Sequence, residues 1–350
     1  MRMQGLVAHF GDLESAWSAD IAELATSGLG AKVIERVLAA RKNVDLNQVW
    51  EKIEAQGINI LTWQDEAYPA RLKEIDQSPP VLYIRGEYLL DDLFAVAIVG
   101  TRRATPYGRQ VTEELSAYLA SNGITVVSGL ARGVDVIAHQ VALKNGGRTI
   151  GVLGSGVDKI YPPEHKNLAE KMMERGAIIS DYAPGTPPDA SNFPPRNRII
   201  SGLSLAVVVI EAGETSGALI TAGFAAEQGR EIFAVPGSIL APQSKGTNKL
   251  IQNGALPLLT MSDLMQALDI NRIGDHKAAR KILPADETEA KLLSVLSSEP
   301  KHVDEIRNAT ELPIERVSAS LALMELKGTV RQVGGMNYVS VGEMAGGYKT

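Results

Sequence analysis

The sequence predicts an α/β protein: a doubly wound, mostly parallel sheet preceded by a small helical unit and followed by a winged helix. Three observations predict it. Six short β-branched runs, FAVAIVG, ITVVSG, RTIGVLG, GAIISDY, LAVVVIEA and REIFAVPG, alternate with helix-length segments from Phe94 onward. Near-continuous apolar strands separated by helices imply a parallel sheet covered on both faces. Four of the runs end in loops rich in glycine, small hydroxyls and arginine, and the flanks on both sides carry helical periodicity.

In chain order, residues 1–65 read as a small helical domain, because DLESAWSADIAELATSGLGAKVIERVLAARK is amphipathic and broken at Gly28 and Gly30. That glycine turn either presents backbone N–H groups to a DNA phosphate, as helix-hairpin-helix modules do, or serves as an ordinary interhelical turn. Residues 66–270 form the main domain and begin with a connector over 66–93. Its prolines, in AYPARLKEIDQSPPVLYIRG, forbid continuous helix and favour an extended path along the sheet. Polar, weakly patterned residues 271–283 suit a linker. Residues 284–350 show three helical segments and then TVRQVGGMNYVSV, a glycine-tipped hairpin, which together predict a winged helix.

Composition narrows the function. With 350 residues, the chain is longer than one hydrophobic core usually serves. It has no cysteine, so disulfides, thiolate zinc sites and cysteine nucleophiles are excluded. The first ten residues lack a tripartite export signal, and the longest apolar run, Leu205 to Ile210, is too short to span a bilayer, so a cytoplasmic protein with no membrane association is expected. The net charge of −6 argues against nucleic acid only superficially: residues 95–260 carry 15 Lys and Arg against 13 Asp and Glu, so the acidity lies in the flanks.

The chemistry-bearing loops are GTRRATPYG, SGLARGVD, GSGVD and EAGETSG. In an open parallel sheet the carboxyl ends of the strands share one edge, so these loops are expected to converge on one crevice. The first precedes a helix starting near Pro106, whose N–H groups and dipole are expected to face an anion. Its spacing matches neither the dinucleotide G-x-G-x-x-G nor the Walker loop, and Arg102 and Arg103 stand where a dinucleotide fold needs glycine, which disfavours NAD and ATP. A guanidinium there suits the phosphates of a nucleic acid backbone, although one of the pair serving as a surface ion pair is the plain alternative. In NFPPRNRIISGLS, Phe193 precedes Arg196, Asn197 and Arg198, an aromatic face beside two guanidinium groups that is expected to sit in a turn and to grip a single strand. Glu211 ends a strand; Ser216 and Gly217 open the next helix, with Thr221 one turn inside, and a buried carboxylate at 211 is expected to orient loop amides or an arginine. His139 and His165 lack metal-spaced partners, and no HExxH or GxSxG motif is present.

Taken together, YPARLKEIDQSPPVLYIRG, VAIVGTRRATPYG, VSGLARGVDVIAHQVAL, TIGVLGSGVDKIYPPEH, FPPRNRIISGLS, VVVIEAGETSGALITAGFAAEQGREIFAVPG and SKGTNKLIQNGA resemble the DprA/Smf family of DNA-processing proteins. They run in order from about 68 to 255. The resemblance implies an extended Rossmann-type domain that dimerises, binds and protects single-stranded DNA with little sequence preference, and loads RecA during natural transformation. It implies no catalysis, cofactor or metal, and adds the single-strand binding protein as a further contact. The helical start and winged-helix end match the family's optional flanking modules, the first SAM-like. Carried onto this chain, the strand-binding residues are Gly100, Thr101, Arg102 and Arg103 in GTRR, Lys166 after YPPEH, and Phe193, Arg196, Asn197 and Arg198 in FPPRNR. Ser128, Gly129 and Gly133 of SGLARG and Gly154, Ser155 and Gly156 of GSG contribute backbone amides, with Arg132 as an electrostatic helper. Ser216 and Gly217 join them, Lys245 in SKGTN extends the basic track, and Glu211 and Thr221 orient the site.

Two other functions fit parts of the pattern. A nucleotide phosphoribohydrolase resembling the LOG proteins needs a glutamate that here falls among Leu219, Ile220 and Thr221, none able to do acid–base work. A winged-helix transcription regulator needs a basic recognition helix, whereas LPIERVSASLALMELKG carries one arginine and one lysine against two glutamates.

Overall fold

The computed structural model describes residues 2–268, 287–297, 300–326 and 330–340. It divides into two units, residues 1–264 and 265–350. The linker expected over 271–283 lies outside the described residues.

The first unit opens with five helices, α1 (Arg2–Phe10), α2 (Leu13–Ser18), α3 (Ile21–Thr26), α4 (Ala31–Asn43) and α5 (Leu46–Ala55). Asp12, Asp20 and Asp45 cap three of them by accepting first-turn N–H groups. Leu24 and Ile34 bury against Phe10, Leu29, Val37 and Leu38 to form a small core. Gly28 adopts φ +80, a backbone that favours glycine, and reverses the chain into α4. The stretch read as a helical domain over 1–65 also contains a strand, β1 (Asn59–Thr62).

The connector over 66–93 is more ordered than an extended tether. It contains the short helix α6 (Ala70–Lys73) and strand β2 (Val81–Gly86), which alternates so that Leu82 and Ile84 enter the core. All six runs read as strands are strands: β3 (Ala95–Val99), β4 (Thr125–Ser128), β5 (Thr149–Val152), β6 (Ala177–Ser180), β7 (Ala206–Val209) and β8 (Glu231–Ala234). With β9 (Leu256–Pro257) they complete a nine-stranded sheet of order β1-β2-β6-β5-β4-β3-β7-β8-β9. It is parallel from β6 to β9, while β2 runs antiparallel to β6 and β1 antiparallel to β2.

Helices α7 (Pro106–Ser121), α8 (Val134–Lys144) and α9 (Lys166–Arg175) connect successive strands from β3 leftward to β6 and pack on one another in sequence. Helix α10 (Phe193–Gly202) then returns the chain to β7, and α11 (Gly217–Glu227) leads to β8, these two packing together. Helix α12 (Lys245–Gln252) follows β8. Strands β3 to β7 are buried along their whole length, which is why their sequences are nearly continuous apolar runs rather than alternations. The strand order reverses between β3 and β7, so the chain leaves these neighbours in opposite directions and opens a crevice at their carboxyl ends.

The second unit is a winged helix. Helices Glu287–Val295, Val303–Thr310 and Ile314–Leu326 enclose Leu292, Ile306, Val317, Leu321 and Met324, with Val330 and Tyr338 contributed by the hairpin. The hairpin, β11 (Val330–Gln332) and β12 (Asn337–Ser340), turns through Gly334 and Gly335, both at positive φ. A two-residue strand, β10 (Lys301–His302), pairs with β12 as a third strand that the sequence pattern did not reveal.

Candidate functional site

The loops after β3 and β7 meet through one carboxylate. Glu211 is 3% exposed and accepts the Thr105 backbone N–H at 3.0 Å as well as the Thr105 hydroxyl. Its backbone carbonyl accepts the Thr101 N–H at 2.7 Å. Gly108 in the first turn of α7 lies against the same carboxylate, leaving no room for a Cβ. The helix does begin at Pro106 as expected, and the Glu211 carboxylate lies at its N-terminus.

The loop after β4 is ordered in the same way. Asp135, on α8, accepts the Gly129 and Ala131 N–H groups at 3.2 and 3.3 Å, and burial pushes its carboxyl up to about 6 against the opposing pull of the Arg196 guanidinium. Arg196 is 5% exposed and donates to the carbonyls of Gly129, at 3.0 Å, and Val152. Burial pulls its guanidinium down to about 10, with the Asp135 charge resisting that loss. Gly133, at φ +79, lets this loop touch the backbone of Thr101 and Arg102. The Gly129 and Ala131 amides are therefore used within the protein, and the Ser128 hydroxyl donates to the Ile98 carbonyl.

Above these loops lies a crevice of about 700 Å³. It brings together Gly100, Thr101, Arg102, Arg103, Phe193, Arg196, Asn197, Ser216, Gly217 and Thr221. Arg102 and Arg103 are exposed, and neither has a carboxylate within ion-pair distance among the described residues. Asp135 is the single carboxylate lining the crevice among the described residues. Ser216 caps α11, accepting the Ala218 N–H, so the N-terminus of that helix borders the crevice. The nucleotide-hydrolase position falls on half-buried Leu219, exposed Ile220 and buried Thr221.

Several expected members lie elsewhere. The segment read as a turn at FPPRNR is the first turn of α10, where the missing N–H of proline costs no hydrogen bond. Residues 196 and 198 consequently point in different directions. Arg198 pairs with Asp181 at 2.7 Å, donates to the Gln77 carbonyl, and lines a separate depression with Glu74 and Gln228 rather than gripping a strand beside Arg196. Gly154 packs beneath Phe193, the Ser155 hydroxyl donates to the Lys159 carbonyl, and the Gly156 N–H is taken by the Thr186 carbonyl, so GSG supports the crevice from below. Arg132 borders a small adjoining recess but pairs with Glu164 at 2.6 Å. Lys245 sits 3.7 Å from Glu214 in another depression, and Lys166 is exposed at the start of α9, outside the crevice lining.

Tyr161 is the residue the sequence reading missed. It lines the crevice and stacks on Phe193, with ring centroids 5.7 Å apart and planes at 29°. The signal was present, since Tyr161-Pro-Pro repeats the aromatic-Pro-Pro pattern that singled out Phe193-Pro-Pro. The two histidines are structural: His139 is buried against the Thr149 hydroxyl at 2.7 Å, and His165 against the Leu130 carbonyl at 2.9 Å. Among the described residues no His, Asp or Glu cluster has the makings of a metal site, and no helix is long and apolar enough to cross a membrane.

Sequence comparison matches residues 59–269 to the family described as DNA recombination-mediator protein A. The chain is 38% identical to Protein Smf of Synechocystis over 375 residues, covering 96% of this chain and 94% of the relative. The chain belongs to the DprA/Smf family. Residues 276–336 match the DprA winged helix domain. DNA processing protein DprA of Bacillus subtilis is 41% identical, with 72% of this chain and 88% of the relative covered. Among solved structures, DprA from Streptococcus pneumoniae superposes with a TM-score of 0.67 at 34% identity, covering 76% of this chain and 92% of its own. DNA processing protein A from Helicobacter pylori, described for its single-stranded DNA binding mode, superposes with a TM-score of 0.55 at 32% identity, covering 61% and 96% respectively. The chain's fold is thus an α/β domain with a mostly parallel nine-stranded sheet, preceded by helices and followed by a winged helix.

Proposed function

We propose that the crevice at the β3–β7 switch point binds single-stranded DNA through its backbone and base faces, without reading sequence. The observation that carries this reading is the pairing of two exposed arginines, Arg102 and Arg103, free of acidic partners among the described residues, with the Tyr161–Phe193 ring stack on the same crevice. Guanidinium groups hold phosphates, and rings accept any base, the combination that grips single strands. The likeness to the Helicobacter pylori protein supports the same reading.

In this proposal the chain acts in the cytoplasm as a homodimer joined through the sheet domain, protects single strands and passes them to RecA, with the single-strand binding protein as a neighbouring contact. Gly100, Thr101, Asn197, Ser216 and Gly217 line the bound strand, while Glu211 and Thr221 hold the loops. No bond-breaking step is proposed, because Asp135, the lone carboxylate lining the crevice among the described residues, is committed to loop amides.

Fluorescence anisotropy with single-stranded and duplex oligonucleotides of several sequences tests the reading. Preference for the single strand, with little variation among sequences, is the expected result. Equal affinity for both forms refutes it.

A further inference from the structure

We propose that Tyr161 is the ring on which a base of the bound strand stacks, and that Phe193 backs it rather than meeting the base itself. The proposal rests on the single-strand reading above and adds the residue that receives the base.

Phe193 is already engaged. Its ring carries the Tyr161 ring and the Arg196 guanidinium, the latter 5.9 Å from the ring centroid. Its edge meets the Gly154 backbone so closely that a Cβ there would come within 2.8 Å of Cδ1. These contacts make it a half-buried member of the crevice floor, fixed by α10 behind it. Tyr161 is 38% exposed, and its phenol makes no hydrogen bond among the described residues. Tyr161 is the more exposed ring of the stacked pair, so it presents the accessible aromatic surface.

The segment carrying Tyr161 is pinned just beyond it. Pro162 is buried, Glu164 pairs with Arg132 at 2.6 Å, and the His165 imidazole meets the Leu130 carbonyl. A ring held this way loses little freedom when a base lands on it. Tyr161 also shares the adjoining recess with Arg102, so a stacked nucleotide places its phosphate beside an unpaired guanidinium. Stacking on the ring and charge at its side match the two chemically constant parts of a nucleotide, the base face and the phosphate.

The test uses the full chain, a fluorescent oligothymidine and an abasic oligonucleotide of equal length. Tyr161→Ala is expected to weaken oligothymidine binding roughly fivefold to 150-fold, the range for one lost base stack. Abasic affinity and the salt dependence of binding stay unchanged, and Tyr161→Phe restores the unsubstituted affinity. Ultraviolet cross-linking of a 5-iododeoxyuridine oligonucleotide yields an adduct on the peptide containing Tyr161. Unaltered oligothymidine affinity in Tyr161→Ala, an equal loss on the abasic strand, or adducts confined to Phe193 overturn the proposal while leaving single-strand binding intact. Failure of the unsubstituted chain to bind either oligonucleotide overturns the underlying reading instead.

Discussion

Arg102→Ala tests whether the crevice works by phosphate contact. The side chain is exposed at the crevice and has no carboxylate within ion-pair distance among the described residues, so its positive charge is available to displace a counterion from DNA. One lost contact on a single strand flattens the slope of log affinity against log salt by about 0.7. Between roughly 50 and 200 mM salt, a fourfold change, the ratio of unsubstituted to variant affinity should therefore shrink by about 2.6-fold. At the lower salt the affinity itself should fall roughly tenfold, equivalent to about 1.4 kcal/mol, and should do so equally for oligonucleotides of different sequence. Arg132→Ala is the internal comparison: Glu164 at 2.6 Å already balances that charge, so its removal should move the slope much less. Anisotropy titrations at four salt concentrations measure both. An unchanged slope with intact affinity in Arg102→Ala removes this residue from the site, and an equal effect in Arg132→Ala refutes the argument from free charge.

Three further outcomes follow from the geometry. Glu211→Ala strands the Thr105 N–H at the start of α7, a loss of about 1–3 kcal/mol, and should lower the melting temperature by about 2–4 °C for each kcal/mol; an unaltered melting curve would show that the two loops are held by other means. Burial pulls the His139 imidazole down from 6.5 to about 3, so the unfolded chain takes up a proton that the folded chain refuses. The associated stability is present above pH 6.5 and is lost as pH falls toward 3; melting at pH 7.5 and 5 should therefore separate more widely for the unsubstituted chain than for His139→Gln, and parallel shifts would contradict it. Deleting the residues after about 283 should leave most single-strand affinity in place, since every crevice residue precedes that point; a folded truncation more than about tenfold weaker, about 1.4 kcal/mol, would move part of the contact into the winged helix.

The parallel strands were legible because β3 to β7 are buried on both faces and leave no polar alternation in their sequences. Strands β1 and β2 were not, because prolines around a half-buried edge resemble a connector, and pairing with β6 is a long-range event that local pattern does not encode. Of the four loops expected to converge, those after β3, β4 and β7 line one crevice and GSG lies beneath it, while side-chain directions were misjudged. Arg196 and Arg198 looked like a pair until the helix starting at Phe193 separated them, turning one to the Gly129 carbonyl and the other to Asp181. Glycines in strings read as amide donors are also close-packing points, as Gly154 under Phe193 and Gly133 against Thr101 demonstrate. Composition did not reveal the internal acceptors of the Gly129 and Gly156 N–H groups, Asp135 and the Thr186 carbonyl.

The carboxylate of Glu211 at the head of α7 also bears on competition inside a cell. Free nucleotides are abundant there, and a helix N-terminus at a switch point is a natural seat for their phosphates. With that seat filled by the Glu211 carboxylate, a lone nucleotide would forfeit the anchor that a helix N-terminus offers. A single strand bound as proposed would be affected far less, because it would engage the arginines and rings through several linked units, each one raising the local concentration of the next. On the proposed reading, the glutamate thereby biases the crevice toward long strands over the monomers from which they are made.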